Sequence, residues 1–235
     1  MAIKSYYSFF FKNYFRSHRY LREIITILIF HIFFWGFLYT DKPDDMIWSV
    51  LAVLGILLNM VTVSSLFFFE KGNSLYFPLV RPGGRVKFLL SKMLLILSID
   101  LFWVLLFSLI YGLRFLEGSY FLQLPLRLLF MIILLILSTS ILSLSFSYKT
   151  WMVWIVMLLI VFGGILNKSA LFPVQSLSQS YVLLTFLLPP LLEIIYSAVT
   201  LEFPFWRSLF LFTALLQTGF YLWLNIRLIQ KKDFI

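Results

Sequence analysis

The chain of 235 residues is 62% hydrophobic and only 12% charged, whereas soluble proteins carry about 25% charged residues. This composition excludes a soluble enzyme and indicates a protein whose solvent is lipid. The absence of cysteine excludes disulfides, thiolate catalysis and Cys-ligated metal centres, and two histidines are too few to suggest a metal site. The net charge of +9 fits cations gathered on the cytoplasmic side of a membrane better than nucleic-acid binding.

The first segment, residues 3–22, predicts an amphipathic helix at the membrane surface. One stripe at helical spacing is apolar and aromatic, and another is basic: Ile3, Tyr6, Tyr7, Phe10 and Tyr14, against Lys12, Arg16 and Arg19. Such a helix would lie flat on the inner leaflet. A generic basic anchor that fixes the topology is an equally good interpretation.

Six segments are long and apolar enough to cross a bilayer, because a spanning helix needs about 20 apolar residues. They lie near 24–40, 46–68, 93–113, 125–147, 151–167 and 208–229. The expected fold class is therefore an all-α membrane protein with six transmembrane helices. Residues 1–235 form one transmembrane domain in this interpretation.

A further apolar run, 181–201, is not predicted to cross. Pro189 and Pro190 break it and Glu193 adds a carboxylate, so we expect a re-entrant or interfacial hairpin within an external region, 168–207. Two interpretations of Glu193 stay open. It braces or gates an exit together with the two prolines, or it is a carboxylate that faces water on the outer side.

The distribution of cations predicts the orientation. With the N-terminus inside, fourteen of the 19 Lys and Arg residues lie in the N-terminal segment, after the second span, at Lys149 and at the C-terminal end. Five lie on the opposite side, so the positive-inside rule places both termini in the cytoplasm. A seventh crossing would move Lys231 and Lys232 outside. We expect a multi-pass protein of the cytoplasmic (inner) membrane.

The cytoplasmic stretch 69–92 is the most specific part of the sequence. It contains Glu70, Gly72, an apolar segment with Leu75, Phe77 and Leu79, and then Pro82, Arg85, Leu89, Leu90 and Lys92. It resembles the signature of type-2 ABC transporter permeases: an acidic residue two positions before a Gly-[ST] turn, a short leucine-rich helix, Pro-x-x-Arg, and Leu-Leu-x-Lys at the third span. Two features depart from that pattern, since Asn73 is inserted before Ser74 and Pro78 shortens the helix.

The resemblance implies that this loop is a coupling helix that docks into a groove of a cytoplasmic ATPase. Apolar side chains on a cytoplasmic surface are typical of a partner-binding site, although an interfacial loop that dips into the headgroups is the alternative. The family also has an N-terminal elbow helix, six spans and an external hairpin between the last two. The resemblance therefore covers nearly the whole chain and implies the permease of an exporter whose substrate is amphipathic or lipid-linked.

The sequence has no G-x-x-x-x-G-K-[ST] motif, so the chain cannot hydrolyse ATP by itself. We expect no cofactor in this chain and no covalent catalysis; ATP and Mg²⁺ would bind to the partner. The expected partners are two ABC ATPase subunits, an identical or homologous second permease half and membrane lipids, and not nucleic acid. Two other functions stay open: a membrane anchor or regulatory subunit without transport, and an intramembrane enzyme that would need a reactive pair such as Asp100 with His31.

Polar residues inside the spans indicate either helix contacts or a hydrated path. Thr213, Gln217, Tyr221 and Asn225 are spaced by four and form one stripe on the last span, while Asn59 lies in the second span. These residues either hydrogen-bond between helices or line a translocation path. Asp100 is an intramembrane acid and hence a functional candidate, but it lies near a helix end, where it would also reach a cation or water.

Overall fold

The computed structural model describes residues 3–34, 36, 43–68, 83–149, 151–172 and 177–232. All regular secondary structure within these segments is helical, which confirms the all-α prediction. The helices are α1 (Ile3–Arg16), α2 (Tyr20–Phe33), α3 (Ile47–Phe68), α4 (Gly84–Phe115), α5 (Gly118–Ser147), α6 (Met152–Ile165), α7 (Lys168–Leu171), a 3-10 helix (Leu177–Leu187), α8 (Leu191–Thr200) and α9 (Phe205–Lys231).

Four of these helices, α3, α4, α5 and α9, are long and apolar enough to cross a membrane. The protein is therefore a multi-pass membrane protein. The other two predicted crossings correspond to α2 and α6, which have 14 helical residues each. At 1.5 Å per residue such a helix covers about 21 Å, less than the roughly 30 Å of hydrocarbon in a bilayer. Six crossings stay a prediction.

The N-terminal helix is shorter than the predicted 3–22. It ends at Arg16, because the chain turns there and His18 adopts a positive φ of 52°, a region that few non-glycine residues occupy. The aromatic side of α1 packs against α4: Tyr6, Phe10 and Tyr14 are buried. The Phe10 ring packs edge-on against the Phe88 ring of α4, with 5.2 Å between the two ring centres. The aromatic stripe therefore holds this helix to the bundle.

Helix α4 begins earlier than the predicted span 93–113. Gly83 has a φ of 68°, which glycine adopts without strain, and the helix starts at the next residue. The basic residues of its first turns lower the hydropathy there, which is why the sequence suggested a loop. Residues 84–92 of the predicted loop 69–92 are therefore helical, and residues 69–82 lie outside the described residues.

The spanning helices form a bundle with two distinct ends. At one end the Lys92 ammonium lies 5.3 Å from the ring centre of Phe67 and 5.7 Å from that of Phe146. Lys232 donates to the backbone carbonyl of Phe146. The last turns of α3, α5 and α9 thus meet the first turns of α4, and we call this the Lys92 end.

At the opposite end the start of α3 lies beside the end of α4 and the start of α5. The Asp44 backbone N–H donates to the Tyr111 hydroxyl at 2.9 Å, and Arg127 pairs with Asp45 at 2.7 Å. We call this the Asp44 end. Successive helices α3, α4 and α5 consequently alternate in direction, and α9 runs parallel to α5.

The region predicted as a hairpin contains the 3-10 helix and α8, separated by Pro189 and Pro190. The break at the two prolines is therefore observed. Helix α8 packs against α3, α5, α6 and α9. Gly163 of α6 touches the proline turn so closely that an added Cβ would lie 2.4 Å from the Pro189 carbonyl oxygen. A small residue at 163 is what permits this approach.

Candidate functional site

Of the residues that match the permease signature, the structure describes Arg85, Leu89, Leu90 and Lys92. Glu70, Gly72, Leu75, Phe77, Leu79 and Pro82 lie outside the described residues. Arg85 donates from Nη1 to the Gln230 carbonyl at 2.8 Å and so joins the first turn of α4 to the last turn of α9. The second half of the signature is therefore fixed at the Lys92 end.

Lys92 is fully buried, with an exposed fraction of 0%. Its ammonium donates to the Leu66 carbonyl at 2.5 Å. It also lies 4.5 to 5.7 Å from the ring centres of Phe10, Phe67, Phe88 and Phe146. Cation–π contacts of this kind strengthen when the charge is desolvated. Lys92 thus ties α1, α3, α4 and α5 together, and its side chain is not a surface group.

Asp100 lies inside the bundle and is held by neutral donors. Asn59 Nδ2 is 2.7 Å from Asp100 Oδ2, and Thr62 Oγ is 2.8 Å from Oδ1. Asn59 also bonds to Thr139 at 2.7 Å and accepts from Ser138 at 3.2 Å. We call these five residues the Asp100 network. The interpretation that Asp100 reaches water or a surface cation is wrong, because the residue is fully buried and both its oxygens are bonded to α3.

Two further residues extend this network toward α1: Tyr14 of the predicted aromatic stripe, and Glu23, which the sequence did not single out. Glu23 of α2 is fully buried and accepts a hydrogen bond from the Tyr14 hydroxyl. Asp100 lies close enough to Glu23 for their charges to interact. Burial raises the pKa of the Tyr14 phenol, and the hydrogen bond to Glu23 raises it further, so Tyr14 stays a donor. Buried polar side chains of α1 and α2 thus lie next to the Asp100 network of α3, α4 and α5.

The polar stripe of α9 makes contacts within the chain. Asn225 donates to the Ser140 carbonyl and accepts from the Ser147 hydroxyl, both at 2.7 Å. Gln217 donates to the Phe186 carbonyl at 2.8 Å. These bonds attach α9 to α5 and to the 3-10 helix, as the helix-contact interpretation expects.

The other two members of the stripe are Thr213 and Tyr221. Thr213 donates to the Phe210 carbonyl of its own helix at 2.8 Å, and Tyr221 packs against the apolar core. A role of the stripe in a translocation path stays a prediction.

A second buried polar cluster surrounds Glu193 of α8. Glu193 Oε1 accepts from the backbone N–H groups of Lys168 and Ser169. The Lys168 ammonium donates to the Leu188 carbonyl, which also lies 3.3 Å from Gln217 Nε2. We call these five residues the Glu193 cluster. The interpretation of Glu193 as a water-facing carboxylate is wrong, because its exposed fraction is 0%.

The electrostatics of the Glu193 cluster follow from its burial. Desolvation lowers the pKa of the Lys168 ammonium to about 8, while attraction to Glu193 opposes that shift. Desolvation raises the pKa of the Glu193 carboxyl, against the stabilising N–H bonds of Lys168. Pro189 and Pro190 immediately precede α8. The three predicted gate residues are therefore close in sequence, and Pro189 packs against Gly163 of α6.

Several residues of these clusters carried weak sequence signals. Glu23 lies one position before the first predicted span, and Lys168 lies one position after the fifth, so both look like flanking charges in the sequence. Arg127, one of the five cations on the predicted external side, is only 3% exposed and pairs with Asp45. The Gly163-Gly164 doublet in an apolar run was the one local signal of a close helix contact.

No family model matches the chain, and no curated protein matches it.

Proposed function

We propose that the chain is the membrane-spanning permease subunit of an ATP-driven ABC exporter. It would cross the cytoplasmic membrane six times, with α1 as an interfacial elbow helix and an external hairpin between the last two crossings. Its substrate would be amphipathic or lipid-linked. Two cytoplasmic ATPase subunits and a second permease half, identical or homologous, would complete the transporter.

The position of the signature carries the proposal. Helix α3 ends at Phe68 and α4 begins at Gly84, and these neighbouring helices run in opposite directions. Segment 69–82, with Glu70 and the apolar residues after it, therefore connects them at the Lys92 end. In the proposed orientation this end faces the cytoplasm, where the ATPase would bind.

The same end carries most of the positive charge. The ends of α5 and α9 reach it, and with them Lys149, Lys231 and Lys232. Helix α1 packs there too, since Ser91 donates to the Ile3 carbonyl. The concentration of cations at one end supports a cytoplasmic orientation of that end.

The contacts of Lys92 suggest how a movement of segment 69–82 would be transmitted to the helices around it. A push on segment 69–82 acts first on the end of α3 and the start of α4, and Lys92 joins both to α1 and α5. These helices would then move as one body relative to the second half. ATP-driven closure of the ATPases would bias this two-state movement, and the path would open between the halves.

The competing enzyme hypothesis needs Asp100 and His31 to form a reactive pair. Both residues are described, and the oxygens of Asp100 are bonded to Asn59 and Thr62 instead. This observation favours transport over intramembrane catalysis.

The proposal is tested by purifying the tagged full-length chain from its native membrane. We expect an ATPase chain with a Walker A motif to co-purify, and its ATP hydrolysis to rise when the two are reconstituted together. Arg85→Ala should weaken this stimulation. Lys87→Ala, two residues further along the same helix and outside the signature, is the matched control. An ATPase rate that is the same with and without the chain would contradict the proposal.

Because the chain has no cysteine, its orientation is tested with single introduced cysteines. Lys149→Cys should resist an impermeant maleimide in intact cells, whereas Glu117→Cys should react. The opposite labelling pattern would reverse the proposed orientation and place the signature on the wrong side of the membrane.

A further inference from the structure

A cavity of about 370 Å³ opens between α1, α2 and α4. Its lining includes Phe11 and Phe15 of α1, Tyr20 of α2, and Ser98, Phe102 and Trp103 of α4. This volume lies within the range of small-molecule sites, which starts at about 300 Å³. We call this cavity the α1 groove.

The walls of the α1 groove are almost wholly apolar. Phe11, Phe15 and Phe102 are 42%, 49% and 55% exposed and form its open side. Tyr14 closes the inner side, and its hydroxyl is engaged by Glu23. Ser98 Oγ donates to the Leu94 carbonyl, and the Tyr20 hydroxyl lies 3.2 Å from His18 Nδ1. A ligand in the groove therefore meets mainly hydrocarbon and aromatic rings, which suits an alkyl chain.

The charge of α1 indicates which molecule carries that chain. The helix has no acidic residue. Lys12 and Arg16 directly follow the groove residues Phe11 and Phe15, and both are exposed. Exposed cations next to an apolar site in a membrane protein attract the phosphate of anionic lipids.

We propose that the α1 groove binds one acyl chain of an anionic phospholipid, with the lipid phosphate held by Lys12 and Arg16. The site would fix α1 against α4 by filling the space that the protein leaves between them. It requires a membrane protein but not the proposed transport function, so either can fail without the other.

The test is lipid retention by the full-length chain in detergent, measured by native mass spectrometry after exposure to equal amounts of phosphatidylglycerol and phosphatidylcholine. We expect one retained lipid per chain and a preference for phosphatidylglycerol of roughly tenfold. Ser98→Trp, which fills the groove, should remove the retained lipid. Ile110→Trp, at an exposed position of the same helix away from the groove, should keep it.

A charge variant separates the two halves of the proposal. Lys12→Gln with Arg16→Gln should abolish the preference for phosphatidylglycerol, whereas Lys149→Gln at another exposed cation should not. Equal retention by wild type and a Ser98→Trp chain that elutes normally would overturn the site, as would equal loss in Ile110→Trp or no headgroup preference in wild type. A Ser98→Trp chain that keeps its lipid but changes its oligomeric state would assign the groove to a second copy and also overturn the proposal.

Discussion

The two buried carboxylates, Asp100 and Glu193, are held in different ways. Asp100 is bonded by side chains of α3, 38 and 41 residues away in the sequence, and its partner Asn59 reaches α5, 80 residues further along. Glu193 is bonded by backbone N–H groups only 24 and 25 residues away. One carboxylate therefore joins long spanning helices, and the other organises short segments in one part of the chain.

The difference separates global stability from local shape. Loss of the Asp100 network should loosen contacts among α3, α4 and α5. Loss of the Glu193 cluster should release α7 and α8 while the long helices stay packed. In the proposed transporter the Asp100 network would hold together the helices that move as one body. The Glu193 cluster would form part of the external gate.

The largest effect is expected for Glu193→Leu. It removes the acceptor of two buried N–H groups and the charge that stabilises the buried Lys168 ammonium, at a cost of roughly 3 kcal/mol. Limited proteolysis of α7 and α8 in detergent measures this local release, because the long helices should stay packed. The control is Glu202→Leu, which removes an exposed carboxylate from the same region. Equal cleavage of both variants would show that Glu193 does not hold this region.

Asn59→Leu tests the Asp100 network. It removes hydrogen bonds to Asp100, Thr139 and Ser138 and should cost about 2 kcal/mol, given about 0.6 kcal/mol per bond in a membrane and more for a charged partner. The double variant with Asp100→Leu should be no less stable than the single one, because it leaves no unpaired acid. Additive losses in this double-mutant cycle would contradict the coupling of the two residues.

Gly163→Ala probes the contact between α6 and the proline turn. The added methyl group meets the Pro189 carbonyl and should destabilise the protein by about 1 to 2 kcal/mol through overpacking. Gly164→Ala is the matched control, since nothing lies within 4 Å of its Cβ, and it should be neutral or slightly stabilising. Limited proteolysis around residues 172–190 reports the local loosening. A Gly163→Ala chain as stable as the wild type would contradict the close contact between Gly163 and Pro189.

The smallest effect is expected for Gln217→Leu. It removes a bond to the Phe186 carbonyl in the region of the Glu193 cluster and should cost about 0.6 kcal/mol. Asn225→Leu, which breaks contacts to Ser140 and Ser147 in α5, should cost more. If both residues line a path instead, transport would fall without a change in the melting temperature.

The sequence predicts the helical class, the four long spanning helices and the break at Pro189 and Pro190, because each is encoded in a contiguous run of residues. It does not predict the Asp100 network. Asn59, Asp100 and Thr139 come together only through the packing of three helices, which no local pattern records. The sequence does not predict the burial of Glu23 and Lys168 either. A charged residue at the edge of an apolar run looks like a flanking residue in the sequence, and only the structure shows that it is buried.

The start of α4 was misplaced for a different reason. Arg85, Lys87 and Lys92 lower the local hydropathy, although Lys92 is buried among aromatic rings. A hydropathy scale treats every lysine as a hydrated charge. It therefore cannot identify a lysine whose ammonium packs against the faces of phenylalanine rings. The predicted loop 69–92 was therefore too long by the first turns of α4.

The central claim, that segment 69–82 couples the chain to an ATPase, is tested most directly with a triple variant. Leu75→Asp, Phe77→Asp and Leu79→Asp together should leave an inserted, folded chain that loses the ATPase in pull-down and no longer stimulates ATP hydrolysis. Tyr148→Asp, which adds a charge at an exposed position after the end of α5, should retain both. Wild-type pull-down yield and ATP turnover in the triple variant would contradict the assignment of this segment as the coupling element.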